Sequence, residues 1–563
     1  MIDFKLEIAK QLKIDLPTEE ILSLITKTAD EQFGDYTFPC FKLAKLMRKS
    51  PIAIAEQLVN ESYSGGVIEK VTAVNGYLNF WLNRKVVQQR ILEHVAQQGE
   101  SYGKTNAGAG KTICIDYSSV NIAKPFHIGH LYTTAIGSSL YKIYNFLGYN
   151  VIGINHLGDW GTQFGKLIVA FKKWGNRQKI DEGGTHALQE IYVKFHQEVE
   201  NDSTLEDEAR VWSAKIEKGD SEALELFEYF KRITLEEVKK IYERLNVKFD
   251  SWAGESFYND KLASVVELLE QKQLLKQDQG AKIVDLADSD MPPCLILRSD
   301  GTSLYATRDL AAAIYRKQTY DFDKCLYVVA YPQSLHFRQL FKVIEKCGFE
   351  WHKDMVHVSY GMVSLEDGAM STRKGNTVWL DEVMNKSVEK ALAIINEKNA
   401  RLENKEKIAE SVGIGAVIFS ALQNNKIKDV VFSYDKMLNF DGETCPYLQY
   451  THARCASVIE KATTAQQNET NYNALDNDES WVLVKKLNEF ESILTNSAEK
   501  YEPSILSNYL IDLAENFNRF YFEHRIINQN GEVETARLNV VKATQHVLKQ
   551  GLTLLGIDAP NKM

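Results

Sequence analysis

The 563-residue chain holds no run of about 18 apolar residues, so a membrane-spanning helix is not expected. Its seven cysteines, Cys40, Cys114, Cys294, Cys325, Cys347, Cys445 and Cys455, are scattered, odd in number and never spaced as CxxC. Neither a disulfide framework nor a zinc cluster is indicated. Positive charge is not in excess either: 66 Lys and Arg against 76 Asp and Glu leave a formal net charge of −10. Affinity for a polyanion needs a local basic surface rather than a basic total, so this balance neither supports nor excludes one. Both familiar glycine-rich nucleotide fingerprints are missing. No GxGxxG follows a strand pattern, which argues against a dinucleotide. The string 101–111 (SYGKTNAGAGK) runs into Thr112 as GAGKT, but a P-loop needs glycine where Thr105 stands, and this stretch precedes a strand instead of a helix.

What remains is an ordinary globular composition, 44% hydrophobic and 25% charged, on a chain long enough for roughly three or four domains. The opening MIDFKLEIAKQLKIDL reads as a charged amphipathic helix and not as a secretory leader, so a cytoplasmic protein is expected. Residues 1–105 read as a small α+β domain and its linker. Helical patterns cover 3–12 and 18–28, a basic helix stops before Pro51, and two strands over 71–82 meet at Asn75-Gly76, a good hairpin turn. Along the second strand Tyr77, Asn79 and Trp81 alternate with Leu78, Phe80 and Leu82. That pattern fits equally a face packed on a helix and a face presenting an aromatic ring and an amide.

The centre of the chain is organised around 120–131, VNIAKPFHIGHL. An apolar strand pattern at 112–117 (TICIDY) leads into it, and a helical pattern leads out, with Leu131, Leu140, Ile143, Tyr144 and Leu147 near one face. A strand, a turn and a helix start present outward-pointing N–H groups and partial positive charge. Gly129 lets a flat ring or a phosphate approach the backbone. His127 and His130, three apart, project to one side, where imidazoles can donate to phosphate oxygens. A second buried strand at 150–155 makes 112–155 a βαβ unit and the start of a doubly wound parallel sheet, which empties into HLGDWGTQFGKL at its carboxyl end. Residues 171–280 are mostly helical and charge-rich and read as an insertion, with patterns at 186–200 and 224–245. Charge runs such as Glu206-Asp207-Glu208 read as solvated faces. Strand character returns at 281–286 and 294–305, with Asp300-Gly301 as a hairpin turn. The helix of YATRDLAAAIYR follows, then the last sheet strands at 325–330 and 355–363. Beyond them a basic, glycine-bounded loop at 369–376 carries Met370, Ser371, Arg373 and Lys374. From 438 onward, helical periodicity at 447–460, 480–494, 504–522 and 536–555 predicts an α-helical bundle.

The HIGH string within SSVNIAKPFHIGHL, with the loop at 369–376 and the closing LLGIDAPNKM, resembles the class I aminoacyl-tRNA synthetases and the arginyl-tRNA synthetases among them. The resemblance spans essentially the full length. It implies a Rossmann-like catalytic domain at 106–437, an N-terminal α+β domain at 1–105 that contacts the tRNA elbow, and a helical anticodon-binding domain at 438–563. It implies that L-arginine joins its tRNA through an arginyl-adenylate, with ATP and Mg2+ as substrate, AMP and pyrophosphate as products, and no protein-bound zinc. A monomer without membrane attachment is expected. Adenylate formation in this family generally needs bound tRNA.

Carboxylate attack on the α-phosphorus requires alignment and charge neutralisation, not an enzyme nucleophile. On the resemblance, His127, His130, Lys124, Arg373 and Lys374 carry the chemistry. His127, Gly129, His130, Gly361, Met362, Val363, Met370 and Ser371 hold ATP. The usual loop lysines are replaced by Ala369 and Thr372, and Lys124, just upstream of HIGH, stands where the arginyl family supplies the missing cation. A guanidinium is planar, permanently charged and forked, so its site needs positioned carboxylates. The resemblance assigns Tyr305 and Asp309 to that pocket, with Asp116 where many relatives have Glu, and Asn121, His130 and Gln333 to the rest of the arginine. The shorter Asp116 leaves open a contact that is direct or through water. Tyr77 and Asn79 are assigned to tRNA. Other readings fare worse. A cysteinyl enzyme would want clustered zinc ligands, and a non-catalytic tRNA-binding paralogue should have lost a histidine or the basic loop.

Overall fold

The computed structural model describes residues 2–28, 30–61, 65–124, 126–299, 305–364, 378–437, 439, 442–463, 469–528 and 532–563. The chain separates into two compact units. One combines 1–103 with 451–492 and 512–550, and the other combines 104–450 with 493–511 and 551–563.

In the first unit, an antiparallel sheet runs in the order Thr26–Lys27, Tyr36–Pro39, Tyr77–Leu82, Ile68–Val74. The predicted hairpin is present: Asn75 and Gly76 both adopt positive φ, 51° and 83°, as a primed two-residue turn requires. N-terminal residues pack on C-terminal helical segments of the same unit. The Tyr102 hydroxyl donates to the Leu487 carbonyl at 2.7 Å, and Gln88 Nε2 donates to the Leu475 carbonyl at 3.1 Å. The Ile2 N–H donates to Asn488 Oδ1 at 3.1 Å.

The second unit is built on a parallel sheet. Among the described residues it has four strands, in the order Met355–Tyr360, Lys324–Ala330, Thr112–Asp116, Asn150–Ile154. Parallel strands covered on both faces read as continuous apolar runs, and TICID and KCLYVVA do so. The chain moves outward in one direction from Thr112–Asp116 to Asn150–Ile154, and in the other from Lys324–Ala330 to Met355–Tyr360. The switch point therefore lies between the two central strands, where Tyr327 is in register with Asp116. Right-handed crossovers then place helix Ile128–Phe146 on one face and helix Ser334–Lys346 on the other. On the second face, Cys114, Cys325, Tyr327 and Met355 pack with Leu310, Ala313, Phe337 and Leu340 from helices Tyr305–Tyr320 and Ser334–Lys346.

The insertion is helical as expected, with Gln163–Trp174, Arg177–Val199, Thr204–Glu217 and Ser221–Arg244. The strand character after it resolves into a separate antiparallel sheet, Leu275–Asp278, Ala281–Val284 and Cys294–Leu297. This strand ends before Arg298 and Ser299, earlier than the predicted 305, and Tyr305 already begins a helix. Asp300 and Gly301 lie outside the described residues, as does Pro125. Helices Cys445–Thr463, Asp478–Glu499, Ser504–Glu523 and Thr535–Leu554 match the predicted C-terminal set. All seven cysteines are free and buried, and burial raises every one of their thiols. Among the described residues no helix is long and apolar enough to cross a membrane.

Candidate functional site

Strand Thr112–Asp116 delivers the chain to the switch point, and the segment after it turns into helix Ile128–Phe146 with His127 as its N-cap. The histidines form a reciprocal cap. The Gly129 N–H donates to His127 Nδ1 at 3.1 Å, and the His127 N–H donates to His130 Nδ1 at 3.2 Å. Their rings lie 3.9 Å apart. Burial, followed by the Lys124 charge, pushes the His127 imidazole down to about 4. Burial, then His127, then Lys124 push His130 well below its ordinary value. Both rings are therefore neutral at physiological pH. Because each Nδ1 accepts a backbone N–H, each proton sits on Nε2, an available donor at a helix N-terminus.

Two further strands of backbone frame this corner. Asn121 bridges to Gly158 in HLGDWG, where Ile122 N–H donates to the Gly158 carbonyl and Gly158 N–H donates to Val120. A Cβ on Gly158 would stand 2.2 Å from Asn121 Oδ1, so only glycine leaves that amide in place. On the other side, the Ile128 N–H donates to the Val378 carbonyl and the Leu380 N–H donates to Phe126, both at 2.9 Å. The chain that leaves the basic loop is thus laced to the histidine turn. Trp379, in the middle of this ladder, stacks on His186 of the insertion at 3.6 Å and 15° between rings. The loop residues Met370, Ser371, Arg373 and Lys374 lie outside the described residues.

Asp116 and Asp309 have different surroundings. Asp116 is buried; Ser119 Oγ donates to its Oδ1 at 2.7 Å, and Arg316 Nη2 lies 2.7 Å from its Oδ2. Both oxygens are occupied by the protein's own groups. Asp309, seven residues before Arg316 on the same helix, keeps 28% of its side chain exposed. Its Oδ2 is 2.6 Å from His336 Nε2, and its Oδ1 is 3.8 Å from His156 Nε2. Burial alone would raise the Asp309 carboxyl, but His336 and then His156 hold it below its ordinary value. Burial likewise opposes protonation of His336, and Asp309 outweighs it, so that imidazole is raised. Glu255 completes the acidic group. Burial, and then the Asp309 charge, push it up to about 7, and its Oε2 is buried with no hydrogen-bond partner. A cavity of about 460 Å³ is lined by Glu255, Tyr305, Arg308, Trp160 and Phe227, among others. Tyr305 is 65% exposed at the helix start, one turn from Asp309.

Gln333 is exposed on the short turn Tyr331–Gln333, at the carboxyl end of the central strand Lys324–Ala330. Gly361, Met362 and Val363 follow the outer strand. The Gly361 N–H donates to the Lys426 carbonyl, and the Met362 N–H donates to Asp429 Oδ1 at 2.7 Å. Gly361 has Lys428 backbone 2.2 Å from where a Cβ would sit. In the first unit, Tyr77 is 40% exposed beside Phe41, whereas Asn79 is 4% exposed within the sheet. Of the two, Tyr77 presents a surface and Asn79 does not; Asn79 pairs with Thr37 and Thr72 across neighbouring strands.

His336, His156, Glu255 and Arg316 were not singled out from the sequence. A usable signal existed for two of them. His336 occupies the first turn of a helix after a strand's carboxyl end, as His130 does. Arg316 sits two turns from Asp309, on one helical face.

Known proteins resemble this chain along its whole length. The family model for "tRNA synthetases class I (R), catalytic domain" matches residues 91–434. The DALR anticodon binding domain matches 448–563, and the arginyl tRNA synthetase N terminal domain matches 3–82. An arginine–tRNA ligase of Alkaliphilus metalliredigens is 50% identical over 566 residues, with 100% of both chains covered. One from Clostridioides difficile is 49% identical over the same span and coverage. The solved arginyl-tRNA synthetase of Thermus thermophilus superposes with a TM-score of 0.78 at 28% identity, covering 96% of each chain. With half its residues shared along its whole length, and a Rossmann-like core carrying HIGH at the switch point, the chain belongs to the class I arginyl-tRNA synthetase family.

Proposed function

We propose that this protein joins L-arginine to its cognate tRNA in two steps. In the first, an arginine carboxylate oxygen attacks the α-phosphorus of ATP and pyrophosphate leaves. In the second, a ribose hydroxyl at the tRNA 3′ end attacks the acyl carbon and AMP leaves. The observation that carries the reading is the placement of two different chemistries around one switch point. Neutral imidazole donors stand at the helix start after one central strand, and a carboxylate group stands beside the other.

In this reading His127 and His130 donate through Nε2–H to the α-phosphate as charge develops there. Lys124 supplies a cation next to them, and Arg373 and Lys374 hold the pyrophosphate. Gly129, Gly361, Met362, Val363, Met370 and Ser371 accommodate the nucleotide. Asp309 and Tyr305 take the guanidinium, and Asn121 and Gln333 the amino acid's backbone groups. The Asp116 carboxylate, held by Arg316 and Ser119, supports this pocket from behind. Tyr77 offers the tRNA contact of the N-terminal region. ATP arrives with Mg2+, which screens the phosphates. The assignment carries with it the division at 105 and 437, a monomeric state and a cytoplasmic setting.

Arginine-dependent exchange of labelled pyrophosphate into ATP, run with and without cognate tRNA, tests it. Exchange should require arginine and rise sharply when tRNA is added. Exchange driven equally well by another amino acid would overturn the assignment.

A further inference from the structure

A forked guanidinium bound to a carboxylate uses both of its oxygens and neutralises its charge. Asp309 already has a partner within the protein whose protonated form it favours, since His336 Nε2 stands 2.6 Å from Oδ2. Resting on the reading that Asp309 takes the arginine side chain, we infer that His336 is a displaceable cation, so that arginine binding expels one proton from His336 into solvent.

The surrounding charges make two cations on one carboxylate unfavourable. Arg316, on the same helix as Asp309, already contributes positive charge to it, and His156 faces Oδ1 at 3.8 Å. From the outer strand, His357 lies near enough for the His336 charge to act on it, and it is itself tied to the Val329 carbonyl at 2.8 Å. Cys294 and Glu255 face Asp309 from two other elements, and each is pushed toward its neutral form by burial and by the Asp309 charge. Asp309 is therefore the anion that His336 and an incoming guanidinium must share. Once the substrate's permanent charge is in place, the imidazolium loses the attraction that kept it charged. It can surrender its Nδ1 proton and still donate Nε2–H to Asp309. The guanidinium cannot be deprotonated, so the histidine must yield.

The sign follows. His336 is raised in the protein without substrate and lowered beside the guanidinium, so protons compete with arginine on the acid side. Affinity should fall about tenfold for each pH unit below the free-state value of His336, and level off above it.

Isothermal titration of the full-length protein with L-arginine, in buffers of different ionisation enthalpy across pH 6 to 8.5, reads this directly. Wild type should release almost no proton at pH 8.5, release a growing fraction of one as the pH falls through the free-state value of His336, and lose affinity with acid. His336→Gln, which keeps a donor toward Asp309 without a titrating charge, should lose the His336 share of that release, and His336→Gln with Glu255→Gln, which also removes the carboxyl held at about 7, should release none and bind with an affinity independent of pH. Binding to wild type at pH 6 to 7 without proton release, or equal release from His336→Gln, would overturn the inference. If Asp309→Asn also abolishes arginine binding, the guanidinium site stands and only the proton coupling falls. If Asp309→Asn binds arginine as wild type does, the site reading itself fails.

Discussion

Replacing Asp116 by alanine should cripple the stability of the second unit well before it disturbs arginine recognition. Arg316 is 1% exposed, and its guanidinium lies 2.7 Å from Asp116 Oδ2 and 5.4 Å from the Tyr327 ring centre. Burial opposes its charge, and Asp116, followed by Tyr258 and Tyr327, restores it, leaving Arg316 firmly protonated. Removing one partner of such a pair strands a charge in the interior and costs about 3–5 kcal/mol, whereas replacing both with apolar groups is often neutral. At about 1.4 kcal/mol for each factor of ten, Asp116→Ala should lower the folding equilibrium by roughly two to three and a half powers of ten. Asp116→Ala with Arg316→Met should recover most of that loss. Urea unfolding followed by tryptophan fluorescence compares wild type, Asp116→Ala, the double variant and Asp309→Asn, and pyrophosphate exchange supplies the KM for arginine in each. Suppose Asp116→Ala unfolds at the wild-type urea concentration while its KM rises as steeply as that of Asp309→Asn. Asp116 would then serve the ligand and not the core, and the reasoning would be refuted.

Four other outcomes are expected. Because His127 is pushed down to about 4 and His130 well below its ordinary value, their neutral donor forms persist below neutral pH. Their contribution to single-turnover adenylate formation should be flat between pH 5.5 and 8 when arginine is saturating, and an inflection there that vanishes in His127→Asn would contradict the tautomer assignment. Gly158→Ala would drive a methyl group to 2.2 Å from Asn121 Oδ1, so kcat/KM for arginine should fall at least tenfold with about 1–3 kcal/mol of strain, as measured by exchange kinetics and thermal unfolding. Removing the ring stacked on Trp379, in His186→Ala, should lower kcat for activation with little change in arginine KM. His186→Phe should restore it, and equal rates for the two variants would count against a positioning role. Lys124→Ala should depress the activation rate sharply at nearly constant arginine affinity, and near-normal turnover would remove Lys124 from the chemistry.

Local pattern carried much of the fold. The runs TICID and KCLYVVA announce covered parallel strands, Asn75-Gly76 announces a hairpin, and the four C-terminal helices follow from their 3.6 periodicity. The strand Tyr36–Pro39 has no strand signal of its own, since FGDYTFPCF is dense in turn formers, and its alternating burial is decided by the neighbouring hairpin. Helices Leu380–Lys398 and Lys405–Leu422 lie in a stretch for which the sequence yielded no assignment. In the candidate site, the histidine turn was legible because strand, turn, glycine and helix succeed one another within twenty residues. The partners of Asp116 and Asp309 were not. Arg316 meets Asp116 across two hundred residues of chain, and His336 reaches Asp309 from a different helix. Periodicity speaks of which face is apolar, not of which polar groups meet inside.

The seven hidden thiols make each half of the molecule its own reporter. Cys40 and Cys455 belong to one unit, while Cys114, Cys294, Cys325, Cys347 and Cys445 belong to the other. A thiol-alkylating reagent can reach any of them only when the surrounding core opens, and raised thiols react slowly until then. Timed alkylation read by peptide mass would therefore clock the breathing of the two halves separately, in the untagged native chain and with no engineered probe.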